Sequence, residues 1–586
     1  VGAEKRRSMR VFVFFSVLLV IIITGCFASQ DSNQIAKEKE LLLDTGSEMK
    51  LSNLSEQKIM DLAKLGKVWG VVKYYHPKVV SGEINWDEEL FRIMPSILAE
   101  DSDVNSILYK WVHSLGSESI PGKLTTEYHY PEDSIQLSPT TDWCNDEKYL
   151  GKDLSLELSK LLESNIVKRE HAYVSFKDDS PYPSMANENL YYGMKFDDTS
   201  YRLLGLFRYW NIIEYYYPYK DVIGEDWDHV LMEFIPKFFN GSDYDSYFMT
   251  IAELTTRIHD SHVYLLGKNR GAITTVADYF GTYSLPVNII EINNQIVISK
   301  VINNCGLEVG DIVLKVSGKS IDEVLEDRRK YISQSREDTS GLFFSASVRT
   351  HQKNTDVTVI RRGNKMNISA VGSPQNIVFM IDTKSQELEN GEIYYINAGL
   401  LKDGEIDKIM NDWWNTKGLI LDLRNYPASE IAHTLAQYLI PSKKEFAWMS
   451  FPNPVIPGEF YYLMPNVSGK HQDNKDEELY KGKLVMLINE HTISHGELTT
   501  MSLRNAENSI VLGRPTAGAD GDAVSFYLPG NIKTGISGFG VFDPEKKPTQ
   551  RVGVQPDIRL DPTIEGLMEG RDEYIEKAVE LIKQGN

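Results

Sequence analysis

The stretch KLVMLINEHTISHGE, residues 483–497, decides how the carboxy-terminal half of this chain is read. Leu484 to Ile488 form an unbroken apolar run with polar residues on either side. Such a run is the signature of a strand buried on both faces. Ser494-His495-Gly496-Glu497 then has the S-x-x-E spacing of a capping box, in which a serine and a glutamate close the first turn of a helix. Strand, turn and helix in succession make the unit of an α/β sheet, where chemistry gathers at the carboxy ends of the strands. Ser494 stands at such an end, and the amides of a helix start favour negative charge there. The serine is therefore either a plain helix cap or, given a base, a nucleophile.

The same alternation extends outward. GEIYYINA (391–398), GLILDLRN (418–425) and SIVLGRP (509–515) are further apolar runs followed by turns. Helical stretches are predicted over Glu430–Leu439 and Ser494–Arg504. Residues 373–586 thus read as an α/β core with parallel strands. Upstream, residues 279–372 alternate apolar and polar residues between glycine turns, as short strands do. Residues 57–130 and 200–278 contain two related segments, at an offset of 141 that takes Trp69 to Trp210, Pro77 to Pro218 and Trp86 to Trp227. Each predicts a helix stopped by proline, a turn, and a second helix capped near Asn85 or Asp226. Their aromatic residues read as packing between helices. Residues 131–199 form an irregular connection with short strand-like pieces such as His171–Phe176.

The amino end predicts export. Lys5, Arg6, Arg7 and Arg10 precede a short apolar core over 11–23, and Ile23-Thr24-Gly25-Cys26 follows. This resembles a bacterial lipobox, with Cys26 lipidated, residues 1–26 as signal and residues 27–56 as a tether. A plain signal peptide or a short anchor are the alternatives. In each reading the rest of the chain is extracytoplasmic, and in the first it is attached to a bacterial membrane by its lipid, on the periplasmic side or at the cell surface. The formal net charge of −21 and the absence of a basic stripe exclude nucleic acid as a partner. The three cysteines, Cys26, Cys144 and Cys305, make no disulfide framework.

A nucleophilic serine needs a base, and histidine suits because its pKa lies near neutrality. The most suggestive of the twelve is His262, in ELTTRIHDSHVYLLG (253–267) after the second helical segment. The order of these parts resembles the serine peptidase family of the tail-specific, carboxy-terminal-processing proteases and the tricorn protease. GLILDLRNYPAS, KLVMLINEHTISHGE, LGRPTAGADG and GVQPDI are similar to its motifs, in the family's order, and Gly306–Gly318 (GLEVGDIVLKVSG) resembles the core of a PDZ domain.

The resemblance implies a multidomain α+β chain: a helical repeat region, a PDZ-like β domain and a ClpP/crotonase-like α/β catalytic core. It implies peptide-bond hydrolysis through an acyl-enzyme at Ser494, with His262 as base and no metal or organic cofactor. The substrate would be an unfolded or extended polypeptide, held by its carboxy terminus at the PDZ-like domain. Ala519 stands where the tail-specific members carry a lysine, so the tricorn-like subtype is implied, with Ser261 and His262 matching its serine–histidine pair. Gln550 and Arg551 occupy the place of that subtype's glutamate. Gln550, Asp260, Glu497 and Ser261 are therefore the candidate orienting groups. The amide of His495 and one from Ala428 or Ser429 are the expected oxyanion donors. The competing readings are a peptide-binding protein on an impaired peptidase scaffold, favoured by these departures, and a carrier of an apolar ligand.

Overall fold

The computed structural model describes residues 54–585 except 117–129, 164–168, 170, 177–180, 270, 337–347, 375–378 and 471–477. Cys26, the export segment and almost all of the tether lie outside the described residues. No described helix is long and apolar enough to cross a membrane.

Helix α1 (Glu56–Tyr75) begins where the Ser55 side chain accepts the Lys58 amide, and ends where Pro77 forces His76 into an extended conformation. Helix α2 (Trp86–Leu98) is capped by Asn85. Helices α3 (Thr199–Tyr216) and α4 (Trp227–Asn240) follow the same plan, with Asp226 as the cap of α4. The indole nitrogens of Trp69 and Trp86 donate to each other's carbonyls at 3.1 and 2.9 Å. Trp210 and Trp227 do the same at 2.8 and 3.1 Å. Lys67 reaches across to Asp228 at 2.6 Å, and Arg208 reaches back to Asp87 at 2.8 Å. Each helical pair thus supplies a cation to the other's aspartate. Arg208 and Lys73 also meet Glu188, at 2.9 and 2.6 Å, in a fully buried charge network. Breaking one member of such a network costs about 3–5 kcal/mol.

A β unit follows. Its main sheet runs, in spatial order, through Asn364–Val371, Asn354–Arg361, Ile312–Val316, Gln295–Val301 and Val287–Ile292. The helix Ile321–Arg329 packs its Val324 and Leu325 into the core beneath.

The α/β core has six strands in simple sequence order: β1 (Gln386–Leu388), β2 (Ile393–Asn397), β3 (Gly418–Asp422), β4 (Lys483–Ile488), β5 (Ser509–Gly513) and β6 (Ile558–Arg559). β1 is antiparallel to β2 and the remaining pairings are parallel. β3 is buried along its whole length, and β4 beyond its first residue. The helix Glu573–Lys583 covers one face with Tyr574, Ala578 and Ile582. The other face packs on Ile406, Met410, Leu435 and Leu503. Between β4 and β5 lies helix α5 (His495–Leu503).

Three elements differ from expectation, the first being the helix Lys152–Leu162 in the stretch 131–199 expected to be irregular, where Leu154, Leu158 and Leu161 supply a buried apolar face. Glu430–Leu439 is helical only over Ala436–Leu439. Thr434 turns its hydroxyl to the Glu430 carbonyl at 2.7 Å and the Glu430 carboxylate takes the His433 amide, local bonds that compete with a regular helix. Of His171–Phe176, only Ser175–Phe176 is a strand, paired with Pro183–Ser184. Cys144 and Cys305 are free and buried.

Candidate active site

β4 delivers Ser494 to the start of α5 with φ 53° and ψ −114°. A non-glycine residue adopts this left-handed conformation only when its surroundings over-determine it. The surroundings here are explicit. The Ser494 amide donates to the Ala519 carbonyl at 2.9 Å and to the Glu497 carboxylate at 3.1 Å. The same carboxylate accepts the Gly518 and Ala519 amides at 2.9 and 3.0 Å, and the Thr516 hydroxyl. Glu497 is thus the knot between the serine and the following turn, not an orienting group on the histidine. Burial raises its pKa against the pull of these donors. The Ser494 hydroxyl donates to the Gly521 carbonyl at 3.2 Å.

His262 reaches this neighbourhood by strand pairing. Leu265 and Leu266, just after it, pair antiparallel with Thr534 and Lys533 of the strand Ile532–Ser537. The end of that strand meets the histidine loop. Asp260 accepts the Ser537 amide at 2.8 Å through one oxygen and the His262 amide at 2.9 Å through the other. That second oxygen is 3.3 Å from His262 Nδ1, which also lies 3.0 Å from the Ser537 hydroxyl. Nδ1 is thereby engaged, and Nε2 is the nitrogen left for proton transfer. Burial alone would lower the His262 pKa, but the Asp260 carboxylate, with Asp520 and Glu497 behind it, raises it above the ordinary value. Asp260 is fully buried, and its bond to His262 overcomes the burial penalty and holds its carboxyl below the usual range.

Asp520 and Asp522 flank Gly521 and lie close enough to His262 to act on its charge. The serine and the histidine make no direct hydrogen bond; they are joined through this turn. Asp520 is buried, one oxygen holds the Gly521 amide at 2.9 Å, and the other has no hydrogen-bond partner among the described residues. Burial, with the Glu497 charge beside it, pushes the Asp520 carboxyl well above the usual range.

The other expected site residues are placed differently. Gln550 does not touch His262; its Nε2 donates to the His259 carbonyl at 3.0 Å and to the Ser335 hydroxyl at 3.2 Å. Ser261 exchanges bonds with Ser335, amide to hydroxyl in both directions, at 2.9 Å each. The Ala428 amide is spent on the Ala398 carbonyl at 3.0 Å, which removes it as an oxyanion donor. The Ser429 carbonyl meets His495 Nε2 at 3.2 Å. Tyr426 brings its hydroxyl beside the Ser494 side chain and the His495 amide. Ser537, Ser335 and Asp520 were not singled out from the sequence, since no spacing marks a residue that distant parts of the chain bring in.

The sequence profile of peptidase family S41 matches residues 392–560, from β2 to β6. A comparison with curated protein sequences gives no match. Among solved structures, a point mutant of CPAF is similar at a TM-score of 0.50 and 14% identity, over 66% of this chain and 98% of its own, which shows a shared fold. The photosystem II D1 C-terminal processing protease is 16% identical at a TM-score of 0.38, over 63% of this chain and 97% of its own. The tricorn protease is 13% identical at 0.34, over 67% of this chain and 37% of its own. The matched profile takes in Ser494, the Glu497 knot and the Gly521 turn, so over residues 392–560 the chain is similar to the serine-type peptidases of family S41.

Proposed function

We propose that the protein is an extracytoplasmic, lipid-anchored serine endopeptidase that cuts unfolded or extended polypeptides. The observation that carries the reading is that Ser494, on a left-handed turn, and the Asp260–His262 couple both meet the 520–522 turn. In this reaction the Ser494 hydroxyl attacks the scissile carbonyl and passes its proton to His262 Nε2. Asp260 holds the ring by Nδ1 and stabilises the imidazolium. The amide of His495, at the start of α5, receives the oxyanion, with Ser429 as the second donor. His262 then protonates the leaving amine, and water hydrolyses the acyl-enzyme by the same route.

The β unit supports a PDZ-like role. Its sheet has edge strands to which an extended peptide could add, and it carries the Gly306–Gly318 motif. Export and lipidation at Cys26 rest on the charged start, the short apolar core and the Thr24-Gly25-Cys26 sequence. A peptide binder without turnover is the second reading, favoured by the Ala428 amide being occupied.

The test uses the chain from residue 27 onward, beside Ser494→Ala and His262→Ala, on casein and a quenched peptide library, with products identified by mass spectrometry. Cleavage by the parent that both substitutions abolish is the expected result. Silence of all three, together with failure of a serine-directed phosphonate to label Ser494, would leave the binder.

A further inference from the structure

The loop that carries the histidine is held on its far side by the β unit. After the helix Ile321–Arg329, Ile332 still packs on the core of the β unit, and Ser333 and Ser335 lie along residues 260–261. The Asp260 amide donates to the Ser333 hydroxyl at 3.1 Å. The Ser261 amide donates to the Ser335 hydroxyl, and the Ser335 amide donates back to the Ser261 hydroxyl, each at 2.9 Å. Gln550 ties the same Ser335 hydroxyl to the His259 carbonyl. His259 has a left-handed φ of 49°, so this carbonyl sits on a strained residue. The next residue, Arg336, donates to the Thr516 carbonyl at 2.7 Å, on the turn knotted to the serine by Glu497.

We infer that Ser335 is a positioning residue of the peptidase reaction, which holds the Asp260–His262 loop at its working distance by clasping Ser261. The inference rests on the reading of His262 as the base. Its physical content is simple. The loop is not a helix or strand, so its backbone amides need partners from elsewhere, and two of them find hydroxyls of the β unit. Ser335 is 2% exposed and Gln550 is 1% exposed, so neither bond has water as an easy substitute. Loss of the Ser335 hydroxyl strands the Ser261 amide and one Gln550 donor. The loop must then relax, and the Asp260–His262 contact beside it relaxes too.

The experiment compares the parent with Ser335→Ala and Ser261→Ala. Peptide turnover is measured against pH, and the His262 ring is titrated by NMR with labelled histidine. Asp260, Asp520, Asp522 and Glu497 are the acidic groups acting on that ring and are unchanged in both variants. The expected result for Ser335→Ala is a fall in kcat of about tenfold or more at unchanged KM. The His262 midpoint moves toward lower pH, because the carboxylate contact that raises it is loosened. Ser261→Ala, which removes the other half of the clasp, shifts the midpoint the same way. A folded Ser335→Ala protein with parental kcat and an unmoved His262 midpoint overturns the inference. If the parent cleaves nothing, the peptidase reading fails on its own account. The histidine titration then still decides the clasp: a moved midpoint keeps it, and an unmoved one removes it.

Discussion

Asp260 grips His262 twice with one oxygen, at the backbone amide (2.9 Å) and at ring Nδ1 (3.3 Å). The carboxylate therefore fixes both the position of the base and the nitrogen it has left to work with. Its charge also sets the working pH. The neutral ring is the form that accepts the serine proton, so activity rises as pH climbs through the His262 pKa. That pKa is raised. The acid limb of kcat/KM should accordingly lie above about 6.5, the ordinary imidazole value. Asp260→Asn removes the charge that favours the imidazolium, so the limb should move to lower pH while kcat drops by about two to four orders of magnitude. A pH–rate profile of the two proteins checks both signs. An acid limb that stays in place in Asp260→Asn would sink the assignment.

The backbone at Ser494 makes a separate prediction, independent of substrate. With φ 53° the position strains any side-chain-bearing residue, so alanine inherits the strain and glycine does not. Ser494→Gly should be more stable than Ser494→Ala by about 1 kcal/mol, although both lack the hydroxyl. Denaturant unfolding of the two variants measures the difference, and equal midpoints would mean that the turn is not strained.

Gln550 stands where the sequence resemblance implies a glutamate, and that invites the substitution. Its Nε2 is a donor to the His259 carbonyl and the Ser335 hydroxyl. Gln550→Glu would place an acceptor against an acceptor carbonyl in a buried site, at a cost of about 1–3 kcal/mol. The expected outcome is lower activity and a lower unfolding midpoint. A gain in kcat would mean that a carboxylate at 550 can reach His262 after all.

Which parts of this were legible beforehand follows from locality. The 483–497 stretch carries a buried strand, a turn and a helix start within a few residues, so the place of Ser494 at the join could be read directly. The caps at Asn85 and Asp226 were legible for the same reason. Asp260, two residues before His262, was among the candidate orienting groups, but the Ser537 hydroxyl that shares the His262 ring nitrogen was not. Its place depends on the pairing of Leu265 and Leu266 with Thr534 and Lys533, a tertiary event that no periodicity announces. The Ala428 amide looked available because its partner, the carbonyl of Ala398, is on another loop. Glu497 was read as a possible partner of the histidine because a carboxylate near a serine suggests a triad. The fold instead aims it at four donors, the Ser494 amide and three groups of the 516–519 turn.

The crossed pairs Lys67–Asp228 and Arg208–Asp87 give the helical half of the molecule a property of its own. Each segment lends the other the countercharge it lacks, as the halves of a symmetric dimer do, but here a single chain plays both subunits. The first segment is therefore no detachable appendage. A chain severed between the two would take Lys67 from Asp228 and Arg208 from Asp87 if its parts came apart, and the fragments would carry complementary surfaces by which to find each other again. The protein is in this sense already divided along its own seam, a natural point for building a split reporter that regains activity on reassembly.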